Sequence, residues 1–129
     1  MSAAADALRA ASVAALEGIS GIGRVYDAPP VTASAPHALV EIDADMDWGH
    51  KSGAGRELRL AATLTGDGER PIRLRASAAA AEAALAALSG EYQGWRVVTM
   101  RRLRSRELRR SKSGWAAVIE FRARMLAAP

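Results

Sequence analysis

Residues 38–48 read Ala-Leu-Val-Glu-Ile-Asp-Ala-Asp-Met-Asp-Trp, and their alternation of apolar and acidic side chains decides the fold class. Successive side chains of a β-strand point to opposite faces of a sheet, so a period of two predicts a strand with one solvent-exposed face. The buried side is expected to carry Val40, Ile42, Ala44, Met46 and Trp48. The exposed side is expected to carry Glu41, Asp43, Asp45 and Asp47, whose charges would also protect an edge strand from mispairing.

Three further strands follow from the same pattern. Residues 58–64 alternate in the same way, a third strand begins near Arg96, and a fourth runs from Trp115 to Met125. The segment between the third and fourth strands is rich in cations and predicts a long basic hairpin.

Two Ala-rich segments have helical spacing, one from the candidate N-cap Ser2 to Glu17 and one from Ser77 to Leu88. The predicted order is therefore α-β-β-α-β-β in one domain over residues 1–129. The fold class is α+β, a mainly antiparallel four-stranded sheet with both helices packed on one face.

The composition predicts a thin core. The chain has 129 residues, of which 30 are Ala, so few large apolar side chains remain to fill the interior. Burial against another copy would compensate, and we expect oligomerisation. The absence of cysteine excludes disulfides, zinc ribbons, thiol nucleophiles and iron–sulfur ligation. No apolar run is long enough for a membrane helix, which predicts a cytoplasmic protein without membrane contact.

Charge is distributed unevenly along the chain. The net charge is −5 over residues 1–50, +2 over residues 51–89 and +7 over residues 90–129. This asymmetry suits an anionic partner such as nucleic acid, and it also suits head-to-tail packing of acidic and basic faces. Both interpretations remain open at this point.

The basic hairpin concentrates seven cations, Arg101, Arg102, Arg104, Arg106, Arg109, Arg110 and Lys112. A solvated hairpin arm explains such a composition as well as an anion-binding surface does. The stretch contains no aromatic residue that could stack on a base. Sequence-specific recognition of nucleic acid is therefore not expected, whereas non-specific attraction of phosphates is compatible with it.

No catalytic, cofactor or metal site is predicted. A calcium loop starting at Asp43 would place Trp48 where glycine is required and Ala54 where the bidentate glutamate belongs. His37 and His50 have no third ligand at a recognisable spacing. The glycines of residues 18–23 lack the order of a dinucleotide fingerprint.

The order of local strings resembles the tail terminator, or tail completion, proteins of long-tailed phages and gene transfer agents. The matching strings include Gly23-Arg-Val-Tyr-Asp-Ala-Pro-Pro30, Gly94-Trp-Arg-Val-Val-Thr-Met100 and the closing strand with Phe121-Arg-Ala123. The short N-terminal helix, Pro36 before the first strand and the Ala-rich second helix also match. The acidic first strand and the Arg-dense hairpin depart from the family pattern.

The resemblance implies a structural subunit that forms a ring, commonly of six copies, on the head-proximal end of a tail tube. Such a ring stops tube polymerisation and provides the surface to which the head connector or stopper attaches. The implied partners are other copies, the tail tube protein, the connector and, through phosphates only, DNA passing through the lumen. The protein would assemble in the cytoplasm and then reside at the head–tail junction of a phage or gene transfer agent particle.

Two hypotheses follow for the charged residues. Contacts between the four acidic strand residues and the cations of residues 101–112 would steer ring closure or docking of neighbouring rings. Some arginines would line the lumen. The alternative function is a small basic module that binds nucleic acid without sequence preference, and an enzyme is the least supported class.

Overall fold

The computed structural model describes residues 2–129, which form two helices and a six-stranded mixed sheet. The elements in chain order are α1 (Ala3–Glu17), β1 (Arg24–Tyr26), β2 (His37–Asp47), β3 (Gly55–Asp67), α2 (Ile72–Ala86), β4 (Gly90–Tyr92), β5 (Trp95–Arg109) and β6 (Gly114–Ala127). The strand order across the sheet is β1-β2-β3-β6-β5-β4. The sheet is curled, so that it resembles half of a barrel.

The prediction of a four-stranded, mainly antiparallel sheet is wrong. Two three-residue strands extend it at its edges, and β1 is parallel to β2, with Arg24 opposite His37. A strand of three residues is too short for alternation to reveal it. Strand β1 is held by its pairing with β2 and by the 3.0 Å bond from Gly23 N–H to the Pro36 carbonyl, whereas β4 pairs with the start of β5 across a two-residue turn.

Helix α2 also begins earlier than predicted. It starts at Ile72 after Pro71, and Ser77, the predicted cap, lies inside the helix. Ser77 is buried, and its hydroxyl donates to the Ser20 carbonyl at 3.2 Å. The hydroxyl therefore holds the loop after α1 against α2 instead of starting a helix. In α1, the predicted cap is present, since Ser2 Oγ accepts from Ala5 N–H at 3.1 Å.

The core lies between one face of the sheet and both helices. It contains Phe121, Ile119 and Met125 of β6, Leu58, Leu60 and Leu64 of β3, Leu8 and Leu16 of α1 and Leu85 of α2. Alanines at Ala4, Ala5 and Ala81 are fully buried and allow close approach of the helices. Neither helix of residues 2–129 is long and apolar enough to cross a membrane. We call the opposite side of the sheet, which carries the alternate residues Arg59 and Arg122, the helix-free face.

Candidate functional site

Three arginines form a row across the helix-free face. Arg122 of β6 lies between Arg59 of β3 and Arg101 of β5 and is the direct cross-strand partner of both. Like charges directly opposite each other destabilise a sheet. Arg59 and Arg101 are exposed and form no ion pair within residues 2–129. This arginine row is therefore a surface on which an anion would relieve repulsion.

Arg122 also has a hydrogen-bond donor that is not used within residues 2–129. Its Nε is buried and has no hydrogen-bond partner in the part of the chain that the structure describes. An unsatisfied buried donor costs about 1–3 kcal/mol, and more when the group is charged. The arginine row thus carries both uncompensated charge and an unused donor.

The neighbouring rows are neutralised within the chain. Arg124 Nε donates to Glu57 at 2.8 Å, and Arg104 Nε donates to Glu120 at 2.5 Å. The hydrogen bond from Arg124 is the main reason that the pKa of Glu57 is lowered; partial desolvation opposes it, and Arg122 and Arg59 add to it. Net positive charge on this part of the face therefore comes from the arginine row.

The structure divides the seven predicted cations among three environments. Arg101, Arg104 and Arg106 point to the helix-free face, since their partners in β6 are Arg122, Glu120 and Val118. Arg102 points to the helices and lies 3.1 Å from Glu82 of α2.

The last three cations surround the hairpin turn. The Arg109 guanidinium lies 4.1 Å from the centre of the Trp115 ring, and its Nη1 donates to the Lys112 carbonyl at 2.8 Å. Arg110 and Lys112 are exposed in the turn itself, where Arg110 N–H donates to the Gly114 carbonyl at 2.7 Å. Only part of the basic segment thus faces one common surface.

The contacts that hold β5 to α2 were not predicted from the sequence. Arg75 of α2 makes a two-pronged ion pair with Glu107, at 2.7 and 3.0 Å, and its hydrogen bonds lower the pKa of Glu107. Ser105 Oγ donates to Glu82 at 2.6 Å. Helix α2 therefore fixes the hairpin from its helix side and leaves Arg101, Arg104 and Arg106 exposed on the other side.

The four acidic residues of β2 do not share one face. A register shift between Ile42 and Ala44 reverses the alternation, because an extra residue in one strand turns the following side chains over. Glu41 and Asp43 are exposed, and Glu41 lies on the helix-free face opposite Ala61.

Beyond the bulge, the acidic side chains serve the fold. Asp45 accepts from Ser2 N–H at 3.0 Å and from Arg56 Nε at 2.8 Å. Partial burial raises the pKa of Asp45, but the hydrogen bonds from Ser2 and Arg56 outweigh it and bring the pKa below its ordinary value. Asp47 Oδ1 accepts from Gly49 N–H at 3.1 Å and stabilises the turn.

The acidic and basic sets are not brought together within one chain. Strands β3 and β6 separate β2 from β5, so the two sets lie toward opposite edges of the sheet. Three strand spacings correspond to about 14 Å. Any contact between the two sets must join different copies.

His37 and His50 lie apart, the first beside Ser34, whose carbonyl contacts its Nδ1 at 3.1 Å, the second in a turn against Trp48. Within residues 2–129 no cluster of three or more His, Asp or Glu side chains could hold a metal ion. A groove of about 510 Å³ between α2 and the end of β3 has a mostly apolar lining.

The arginine row could not be predicted from the sequence, because the strand order was not known. The alternation of residues 57–64 and 115–125 predicts Arg59 on the exposed side of one strand and Arg122 and Arg124 on that of another. The strand order, which makes β3, β6 and β5 neighbours, was the missing information.

Comparison with known proteins places this geometry in a structural context. A family model described as tail completion protein gp17 matches residues 3–126. Among 26 matching chains of solved structures, one from the virion of a native gene transfer agent particle is 28% identical, with a TM-score of 0.73. That match covers 98% of this chain and 100% of the other. A comparison with the curated proteins found no match.

Proposed function

The chain belongs to the tail completion protein gp17 family, and from this premise we propose that it forms a ring that caps the head-proximal end of a phage-like tail tube. A structural role in the tail follows from the family itself, which is not an enzyme family. In the proposal the ring has six copies, stops tube polymerisation and offers its other side to the head connector or stopper. It assembles in the cytoplasm and becomes part of the particle at the head–tail junction.

The main support for a ring is that opposite charges are separated toward opposite edges of one sheet. Glu41 and Asp43 are exposed on β2, and Arg101 and Arg106 are exposed on β5. A ring of identical copies needs two different, complementary patches on each copy. A single chain cannot join these patches, because two strands lie between them.

Complementary charges affect the rate and orientation of association between copies more than they affect its affinity. Exposed ion pairs contribute about 1 kcal/mol or less each, but complementary patches orient the encounter and exclude wrong registers. The buried contacts that hold the copies together must come from other groups. The thin, Ala-rich interior supports the same conclusion, since burial between copies adds to the core.

Charge reversal tests the ring. Arg101 and Arg106 are better targets than Arg104, because a glutamate at position 104 would face Glu120 within the chain. We expect R101E/R106E to lose the ring that the unchanged protein forms, and E41K/D43K to lose it as well. Combining all four changes restores complementary charges and should restore assembly. Sedimentation and electron microscopy measure the mass and shape.

A matched control separates local from global charge effects. R70E/R73E makes the same change in net charge at exposed positions near the start of α2 and should still form rings. If R101E/R106E forms rings as well as R70E/R73E does, the proposed contact between acidic and basic sets is wrong.

The arginine row favours a second function, contact with DNA through phosphates. Arg59, Arg122 and Arg101 form no ion pair with a carboxylate of residues 2–129 and so offer free guanidinium groups. Such binding would fall steeply with salt and show no sequence preference. We expect R59Q/R101Q, but not R70Q/R73Q, to reduce retention on DNA at low salt. Salt-insensitive retention would contradict this function, and binding by a stable monomer that never forms rings would favour a small nucleic-acid-binding module.

A further inference from the structure

Both edges of the sheet are largely open. On the outer side of β2, the short strand β1 covers only His37–Leu39; on the outer side of β5, β4 covers only Trp95–Val97. Within residues 2–129 no backbone hydrogen bond from another segment continues either pairing. The chain thus presents two stretches of unpaired strand, residues 40–47 and residues 98–109. Open strand edges readily pair with another strand.

The two open stretches fit each other in direction. Each neighbouring pair from β2 through β3 and β6 to β5 is antiparallel, so β2 and β5 run in opposite directions. A copy rotated about an axis along the strands therefore presents β2 antiparallel to β5, the more stable pairing. Because β1 and β4 cover the beginnings of β2 and β5, these short strands then lie at opposite ends of the contact and do not collide.

Exposed apolar side chains mark the same two edges. The large hydrophobic residues of the described chain that are most exposed include Met46 on β2 and Val98 and Leu103 on β5, at 48%, 41% and 36%. Charge marks them too, since Glu41 and Asp43 are exposed on β2 and Arg101 on β5, and none of the three forms an ion pair within residues 2–129. Large exposed apolar residues on an unpaired strand are typical of an interface.

We propose that β5 of one copy pairs with β2 of the next copy, so that the sheet continues from copy to copy. The proposal rests on the proposed function only in taking a second copy as the partner. Contacts between charged side chains give neither backbone hydrogen bonds nor apolar burial. Pairing of β5 with β2 gives a row of backbone hydrogen bonds and buries Met46 and Val98.

The bulges select a register. Successive helix-free positions are three residues apart across the bulge of β2, from Glu41 to Ala44, and across that of β5, from Arg101 to Arg104. Both bulges coincide when Glu41 lies opposite Arg104. Ala44 then lies opposite Arg101.

The same register places Met46 opposite Thr99, and residues 40–47 lie opposite residues 98–105. In this register Asp47, the last residue of β2, lies opposite Val98 of the other copy. Val98 directly follows Val97, the last residue of β5 that pairs with β4, so the two pairings do not overlap.

Disulfide cross-linking tests the register without background, because the chain has no cysteine. In M46C/T99C the two thiols of one copy are about 14 Å apart across the sheet, too far for a disulfide within the chain. We expect mild oxidation to give a ladder of covalently linked copies. The control M46C/R106C moves one thiol by seven residues, about 23 Å along β5, and should give no ladder.

Hydrogen exchange tests the pairing on the unchanged protein. Amides of residues 40–47 and 98–105 that face the open edges should exchange about tenfold more slowly, or slower still, in the oligomer than in the dilute chain. Oligomers whose edge amides exchange as fast as in the dilute chain overturn edge pairing and leave the ring proposal standing. A chain that stays monomeric up to its solubility limit also overturns edge pairing, and ring formation would then require the tube.

Discussion

The carboxylate of Asp45 accepts a hydrogen bond from the backbone N–H of Ser2, 3.0 Å away and 43 positions earlier in the chain. Ser2 is the N-cap of α1, and the same carboxylate also accepts from Arg56 at 2.8 Å. One acidic side chain therefore joins the start of α1, strand β2 and its neighbouring strand β3. Its position on the helix side of β2 is a consequence of the bulge after Ile42.

Asp45→Asn should lower the free energy of unfolding by about 1–3 kcal/mol, because hydrogen bonds to a charged acceptor are lost in a partly buried site. Asp43→Asn is the matched control. Asp43 is exposed on the same strand and should change stability by less than about 0.5 kcal/mol. Urea denaturation of the three proteins measures the difference, and equal losses in both variants would contradict the assigned role.

The lowered pKa of Asp45 predicts an acid-dependent loss of stability. Its stabilising contribution is fully present above the ordinary aspartate pKa of about 4 and is lost as the pH falls through the lower value of the folded state. The free energy of unfolding should therefore fall more steeply below about pH 4 in the unchanged protein than in Asp45→Asn. Denaturation curves at a series of pH values provide the comparison. Parallel pH profiles would show that the carboxylate is not coupled to folding.

Strands β3 and β6 lie where alternation predicts them, because each has one side against the apolar core. The closing strand is the clearest case, since Ile119, Phe121 and Ala123 are buried and Arg122 is on the other face. Alternation cannot reveal β1 or β4, although Arg24-Val25-Tyr26 is a short stretch that favours extended backbone within a loop rich in Gly and Pro. Three residues carry no detectable period, and each strand is defined by its partner: β1 pairs with β2, 13 positions later, and β4 pairs with the start of β5 across the turn at Gln93 and Gly94.

The candidate site was predictable only as a set of charged residues. A single bulge moves Asp45 from the predicted exposed face to the helix side. Nothing in the sequence around Asp43 predicts this bulge. Likewise, the environments of Arg102 and Arg104 differ because of a second bulge between them. Charge composition is set by the sequence, but its distribution over two faces depends on register.

The backbone conformation of Gly21 and the nearby Ser77 hydroxyl predict a loss of stability in Gly21→Ala. Gly21 has a φ of +89°, which disfavours other residues, and an added Cβ would collide with Ser77 Oγ. We expect a loss of more than about 1 kcal/mol. Gly53→Ala is the control, because a Cβ there meets no atom within 4 Å and φ is not positive. Thermal denaturation should show a lower Tm for Gly21→Ala alone.

Arg122→Met should separate stability from anion binding. Methionine keeps a straight apolar side chain while removing the charge between Arg59 and Arg101 and the unpartnered Nε. Relief of cross-strand repulsion should raise the free energy of unfolding by a few tenths to about 1 kcal/mol. Retention on DNA at low salt should fall, because one of three adjacent cations is lost.

Arg124→Met removes an equal charge but breaks the bond to Glu57, so it should lower stability. Urea denaturation and DNA-column elution measure the two effects, and a less stable Arg122→Met would show that the arginine row serves the fold and is not held for an anion.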